Sequence, residues 1–175
     1  MKIIKTASGF SQWREAQSQT VGFVPTLGAL HQGHLSLIST SKERCDLTVV
    51  SIFLNPTQFS PNEDLTSYPQ SLDADIKLLE GLSVDVLFLP DKKEMYDNVA
   101  DVKVPETNLF MRLEGSSRPH FFYGVTTVVA KLFNIIQPTH AFFGEKDAQQ
   151  WRIIKQMIDN MNYNINLICC PTIRD

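Results

Sequence analysis

Positive charge is not in surplus in this sequence of 175 residues, which carries 16 Lys and Arg against 19 Asp and Glu and a formal net charge of −3. A nucleic-acid-binding surface needs a basic stripe that displaces counterions, so this balance argues against a polyanionic macromolecular partner. No apolar run approaches the roughly 20 residues that span a bilayer. The opening MKIIKTASGFSQWREAQ places charged and polar residues where a signal peptide needs a continuous apolar stretch, so a cytoplasmic protein is expected. Cysteine is also scarce. The three present, Cys45, Cys169 and Cys170, are an odd number without Cys-x-x-Cys or Cys/His spacing, which excludes a disulfide framework or a zinc site of the usual kind. Cys169 and Cys170 lie in an apolar run that reads as a buried strand, so reduced core thiols are expected.

What is present is apolar residues, 43% of the chain, enough for the core of one compact domain. From Thr20 onward short β-rich runs alternate with helical patterns. Strands are predicted at Val21–Pro25, Leu47–Leu54, Val84–Leu89, Thr139–Phe143 and Ile165–Cys170. Helices are predicted at Gly33–Arg44, Ser71–Leu82, around Lys93–Tyr96, at Val125–Ile136 and at Asp147–Met161. A strand at Asp101–Val104 and a polar turn through Gly115–Ser117 complete the reading. Regular alternation of this kind predicts an α/β fold: a Rossmann-like, doubly wound, mainly parallel sheet with helices on both faces. In such sheets ligands bind beyond the carboxyl ends of the strands, where strand order reverses. The segments after Pro25, Leu54 and Phe143 should therefore carry the chemistry.

The first of these is Pro25-Thr26-Leu27-Gly28-Ala29-Leu30-His31-Gln32-Gly33-His34. Gly28 and Gly33 let backbone approach a ligand closely, and helix N–H groups together with two imidazoles can donate to phosphate oxygens. From the chain's 4 His and 8 Gly, a chance His-x-Gly-His is expected roughly 0.004 times. Two further readings stand beside the functional one: the histidines cap a helix, or they form a metal pair.

The second segment is Asn55-Pro56-Thr57-Gln58-Phe59, where Gln58 offers one acceptor and two donors, suited to a hydroxy acid. Its alternative is an exposed Asn-Pro turn. The third is Gly144-Glu145-Lys146-Asp147-Ala148-Gln149-Gln150. Lys146 can neutralise phosphate charge at a helix start, Asp147 can hold a ribose or cap the helix, and Gln150 lies one turn in. A surface turn before a capped helix is the alternative.

With those residues in view, Pro25–His34 resembles the nucleotidyl-transferase superfamily, whose HIGH-type motif occupies this strand-to-helix turn. More narrowly, PTLGALHQGHLSL is similar to the pantothenate synthetase family, with Leu27 where that family usually has Met. The resemblance continues through NPTQF, Glu63-Asp64-Leu65, Tyr68-Pro69, Arg118-Pro119, the stretch from Gly124 and GEKDAQQ, reaching Arg174. It departs at Gln70, where arginine is usual, and at His120-Phe121-Phe122, where the family has Gly-His-Phe.

The resemblance implies an ATP-dependent carbon–nitrogen ligase of pantothenate and coenzyme A biosynthesis: pantoate is activated as pantoyl-adenylate with release of pyrophosphate, then β-alanine displaces AMP. It assigns His34, His31 and Lys146 to catalysis. It assigns Leu27, Gly28, Ala29, Leu30, His31, Gln32, Gly33, His34, Gly144, Glu145, Lys146, Asp147 and Ile173 to ATP. Gln58 and Gln150 are assigned to pantoate and Gln58 also to β-alanine. Mg²⁺ is expected mainly on the phosphates, with no protein metal site. Residues 1–175 would be the N-terminal nucleotide- and pantoate-binding catalytic domain of a homodimer. A C-terminal lid domain would be absent from the chain, leaving it little activity alone. The alternatives are another HIGH-type adenylyltransferase and a non-catalytic nucleotide-binding or dimerisation module; a tRNA ligase fits poorly with the acidic balance.

Overall fold

The computed structural model describes residues 1–59, 71–97, 108–112, 114–118 and 121–172. In chain order the elements are β1 (Lys2–Ile4), α1 (Ala7–Glu15), β2 (Val21–Thr26), α2 (Gln32–Arg44), β3 (Leu47–Ile52), α3 (Leu72–Gly81), β4 (Val86–Phe88), α4 (Lys92–Tyr96), α5 (Glu114–Ser117), α6 (Phe121–Ile136), β5 (His140–Gly144), α7 (Ala148–Asn160) and β6 (Asn166–Cys170). Short 3₁₀ turns cover Pro56–Gln58, Asn108–Met111 and Glu145–Asp147. The predicted strand at Asp101–Val104 and residues Gln70, His120 and Ile173 lie outside the described residues, as does the stretch from Glu63 to Pro69.

The six strands form one sheet in the order β1-β4-β3-β2-β5-β6, and every neighbouring pair is parallel. Because side chains alternate across a strand, two neighbouring valines can serve opposite cores. Val49 joins Phe23, Phe88, Phe143, Phe10 and the valines of α6 on one face, whereas Val50 joins Leu37, Ile38, Leu79 and Phe142 on the other. Both faces are thus covered, which explains why these strands read as unbroken apolar runs. Burying each such side chain fully stabilises the fold by about 1.5–3 kcal/mol.

Some expectations need correction. β1 and α1 precede the first strand read from the sequence: Lys2-Ile3-Ile4 is too short to show a period, and it pairs with β4 at the sheet edge. The segment Gly115–Ser117 is the end of a single-turn helix rather than a plain turn. Cys45 and Cys170 are buried as expected, but Cys169 is exposed because β6 is an edge strand whose outer face is uncovered.

Strand order decides where the chemistry gathers. From β2 the chain steps outward through β3 to β4, then returns to place β5 on the other side of β2. The reversal lies between β2 and β5, so the turns leaving these two strands diverge and open a crevice between them. The turn after β3, the other neighbour of β2, flanks it.

Candidate active site

The turn leaving β2 is conformationally demanding. Gly28 has φ +92° and Ala29 φ +51°, two successive left-handed residues, of which only glycine adopts that region without cost. Asp75 of α3, 3% exposed, holds them in place. Its Oδ2 accepts from Ala29 N–H at 2.9 Å and its Oδ1 from Leu30 N–H at 2.8 Å. Thr26 Oγ1 accepts from Gly28 N–H at 3.3 Å and donates to Ser51 O at 2.8 Å, tying the turn to β3. The backbone donors of Ala29 and Leu30 are therefore committed to a carboxylate.

The two imidazoles stand at the start of the helix that follows. His31 is the N-cap of α2, its Nδ1 accepting from Gly33 N–H at 3.1 Å, while His34 Nδ1 accepts a long bond from His31 N–H at 3.4 Å. An imidazole that accepts at Nδ1 carries its proton on Nε2, so each ring keeps one outward donor. The ring centroids are 4.1 Å apart. Burial, and then the neighbouring His31 against a weaker opposing pull from Asp75, lowers the His34 pKa from 6.5 to about 4. His34 is thus a neutral donor at physiological pH, not a cation. Gly33 is required by the same packing, since a Cβ there would lie 2.9 Å from His31 Cε1. The capping alternative is realised through the Nδ1 atoms, which leaves the Nε2 side of each ring outside the capping bonds.

After β3, Asn55 is fully buried and acts as a hub. Its Oδ1 accepts from Tyr96 O–H at 2.6 Å, Thr57 Oγ1–H at 2.9 Å and Thr57 N–H at 3.3 Å. Its Nδ2 donates to Gln58 Oε1 and to Gly124 O, both at 3.0 Å. These partners fix the amide orientations. Gln58, 9% exposed, has its acceptor occupied and presents its Nε2 donors to the crevice. The turn fits against α6 only because residue 124 is glycine: a Cβ there would lie 2.6 Å from Gln58 N and from Thr57 C and O.

The third segment follows β5. Asp147 occupies the N-cap position of α7 but makes no side-chain cap hydrogen bond, so the capping alternative is not realised. Lys146 and Asp147 are exposed, and Gln150 sits one turn in.

The segments meet. One cavity of about 270 Å³ is lined by the polar residues His31, His34, Gln58, Asp147 and Gln150 and by apolar residues of α6, together with Phe53 and Phe143. An adjoining cavity of about 510 Å³ shares Leu27, Gln58, Asp147 and Gln150 with the first and adds Lys146 and Arg118. Arg118 donates from Nη2 to Gln58 O at 3.3 Å and lies 4.3 Å above the Phe121 ring. Other assigned residues lie elsewhere. Gly28 and Ala29 face a third hollow on the far side of Leu27, Leu30 packs into the core, Gln32 is exposed, and Gly144 and Glu145 line none of these cavities. Among the described residues, no group of three or more His, Cys, Asp or Glu side chains is placed to hold a metal ion, and no helix is long and apolar enough to cross a membrane.

A family model described as pantoate-beta-alanine ligase matches residues 2–175. The chain belongs to that family. It is 48% identical to pantothenate synthetase of Fervidobacterium nodosum over 100% of this chain and 64% of the relative, and 51% identical to that of Pseudothermotoga lettingae over 91% and 57%. It therefore spans about three fifths of the length of these relatives. A pantoate-beta-alanine ligase from Francisella tularensis, crystallised with beta-gamma ATP and beta-alanine, superposes with a TM-score of 0.95 at 44% identity, covering 100% of this chain and 68% of that one. Pantothenate synthetase from Thermus thermophilus gives 0.94 at 40% identity, covering 100% and 63%. Family membership accounts for the all-parallel sheet.

Sequence reasoning missed Asp75, Gly124 and the hub role of Asn55. Asp75 had a readable signal: four residues before the buried Leu79, it puts an acid on the apolar stripe of α3. Gly124 had none, because its contact partner lies 66 positions earlier in the chain.

Proposed function

We propose that this chain forms the nucleotide- and pantoate-binding catalytic domain of an ATP-dependent ligase that joins pantoate to β-alanine through pantoyl-adenylate. The observation that carries this reading is the shared lining: the His31 and His34 imidazoles, the Gln58 amide and Gln150 line one cavity together with the apolar residues Val125, Val128, Val129 and Leu132 of α6. A branched hydroxy acid has that dual character, with an alkyl body for Val125, Val128, Val129 and Leu132 and a carboxylate with hydroxyls for the two glutamines. The family's name, and the beta-gamma ATP and beta-alanine with which the Francisella tularensis ligase was crystallised, support the same substrates.

In this reading the pantoate carboxylate attacks the α-phosphorus of ATP and pyrophosphate departs. The β-alanine amine, held near Gln58, then attacks the acyl carbon and AMP leaves. No protein nucleophile is needed, so catalysis comes from positioning and from donors aimed at the charge that develops on phosphorus. His34 and His31 contribute Nε2–H groups, and Lys146, in the adjoining cavity, contributes a cation toward the phosphates. With no acidic cluster among the described residues, Mg²⁺ fits best as part of the nucleotide, held by phosphate oxygens and water, where it offsets phosphate charge. A cytoplasmic homodimer completes the proposal.

The test is pantoate-dependent exchange of pyrophosphate into ATP. His34→Ala should lower the rate roughly 10²-fold or more, the usual consequence of losing one such donor. Exchange near the wild-type rate in that variant, or exchange supported by nicotinate mononucleotide in place of pantoate, would overturn the reading.

A further inference from the structure

The Gln58 amide presents donors to the cavity only while Asn55 keeps hold of its oxygen, and Asn55 is itself oriented from further away. Three donors converge on Asn55 Oδ1, of which the Tyr96 hydroxyl is the nearest at 2.6 Å. Turning the Asn55 amide over would bring its NH₂ against those donors and its oxygen against Gly124 O and Gln58 Oε1, leaving buried groups unpaired. The chain of bonds has a direction: Tyr96 O–H to Asn55, Asn55 to Gln58, Gln58 to the ligand.

Tyr96 is well placed to set that direction. It ends α4, beside Met95, which is fully buried. Its ring lies 6.0 Å from Phe53, itself a wall of the cavity, and Lys131 Nζ sits 5.6 Å above it while donating to Met95 O. Burial also pushes the Tyr96 phenol up, so it remains a donor under ordinary assay conditions.

We infer that Tyr96 is a positioning residue for acid binding, acting through Asn55 to keep the donor side of Gln58 turned to the carboxylate substrate. The inference rests on the functional reading above, and the experiment separates the two. Pantoate and ATP affinities are measured by titration calorimetry on the wild type, Tyr96→Phe, Gln58→Ala and the double variant. Removing one hydroxyl should weaken pantoate binding roughly three- to tenfold, the worth of one hydrogen bond, and leave ATP binding unchanged. In the Gln58→Ala background the same substitution should change pantoate binding no further, because the relay then has nothing to orient. Side-chain amide exchange by NMR gives a ligand-free reading: the Asn55 NH₂ protons should exchange faster in Tyr96→Phe. Unchanged pantoate affinity in Tyr96→Phe, an equal loss for ATP, equal factors in both backgrounds, or unaltered Asn55 exchange each overturns the relay. A wild type that binds no pantoate, or a Gln58→Ala variant that binds it normally, overturns the functional reading instead.

Discussion

Replacing Gly124 with alanine tests whether the crevice depends on close backbone approach. In the first turn of α6 the substitution should help on local grounds, because alanine is favoured over glycine within a helix by up to about 0.5–1 kcal/mol. The tertiary structure opposes this. The new Cβ would lie 2.6 Å from three backbone atoms of Thr57 and Gln58, where ordinary contact begins at 3.4 Å, so the turn must retreat by about 0.8 Å (3.4 − 2.6). None of the three atoms belongs to a side chain that can rotate away. Overpacking of this kind costs about 1–3 kcal/mol, which exceeds the helical gain and leaves a net loss of about 0.5–2 kcal/mol. For a domain of this size that lowers Tm by about 1–8 °C in a calorimetric scan. The retreat also moves Gln58 and stretches the Asn55 bond to Gly124 O, so pantoate binding should weaken about tenfold or more. Gly81→Ala is the control, since it is also helical and its Cβ meets nothing within 4 Å; it should leave pantoate binding unchanged and Tm unlowered. A Gly124→Ala protein that melts at or above the wild-type temperature and binds pantoate normally would refute the reasoning.

Three other outcomes are expected. Unfolded His34 takes a proton below its ordinary pKa of 6.5, whereas the folded residue resists until about 4, so the unfolded state binds more protons in between. Stability should therefore fall as pH drops through that window, by up to about 3 kcal/mol, and His34→Gln should lose less in urea titrations at pH 7 and 4.5; equal losses would contradict the assignment. Gly33→Ala would bring a Cβ within 2.9 Å of His31 Cε1 and force the ring from its cap, so ATP affinity should fall several-fold with little change in pantoate affinity, as calorimetry would report. Asp75→Asn replaces one acceptor with a donor facing a backbone N–H, and should cost about 1–3 kcal/mol in denaturant unfolding; a wild-type midpoint would exclude Asp75 as the clamp of the turn.

Much of the scaffold could be read in advance because its signals are local. Leu47–Ile52 is apolar but for Thr48 and Ser51 since both its faces are covered, and α7 carries a clear apolar stripe through Ile153, Ile154, Met157 and Ile158. β1 escaped notice because three residues hold no period, and Cys169 was misjudged because an edge strand and an inner one look alike in sequence. Within the site, His31, His34, Gln58 and Gln150 were named from their residue types and their positions at strand ends. Their states were not: the neutral His34, the donor face of Gln58 and the committed N–H groups of Ala29 and Leu30 depend on partners brought in from other elements.

The order of residues alone determined the alternation of strands and helices, the family resemblance and which loops line the crevice, because each rests on neighbours within a few positions. Tertiary structure alone decided that Asp75 rather than a ligand takes the turn's backbone donors, that Gly124 admits the Gln58 turn, and that Tyr96 reaches the amide at the crevice. Those outcomes depend on contacts of 2.6 to 3.0 Å between segments 41 to 69 positions apart, and hydrogen bonding and steric exclusion act on distance in space, not along the chain.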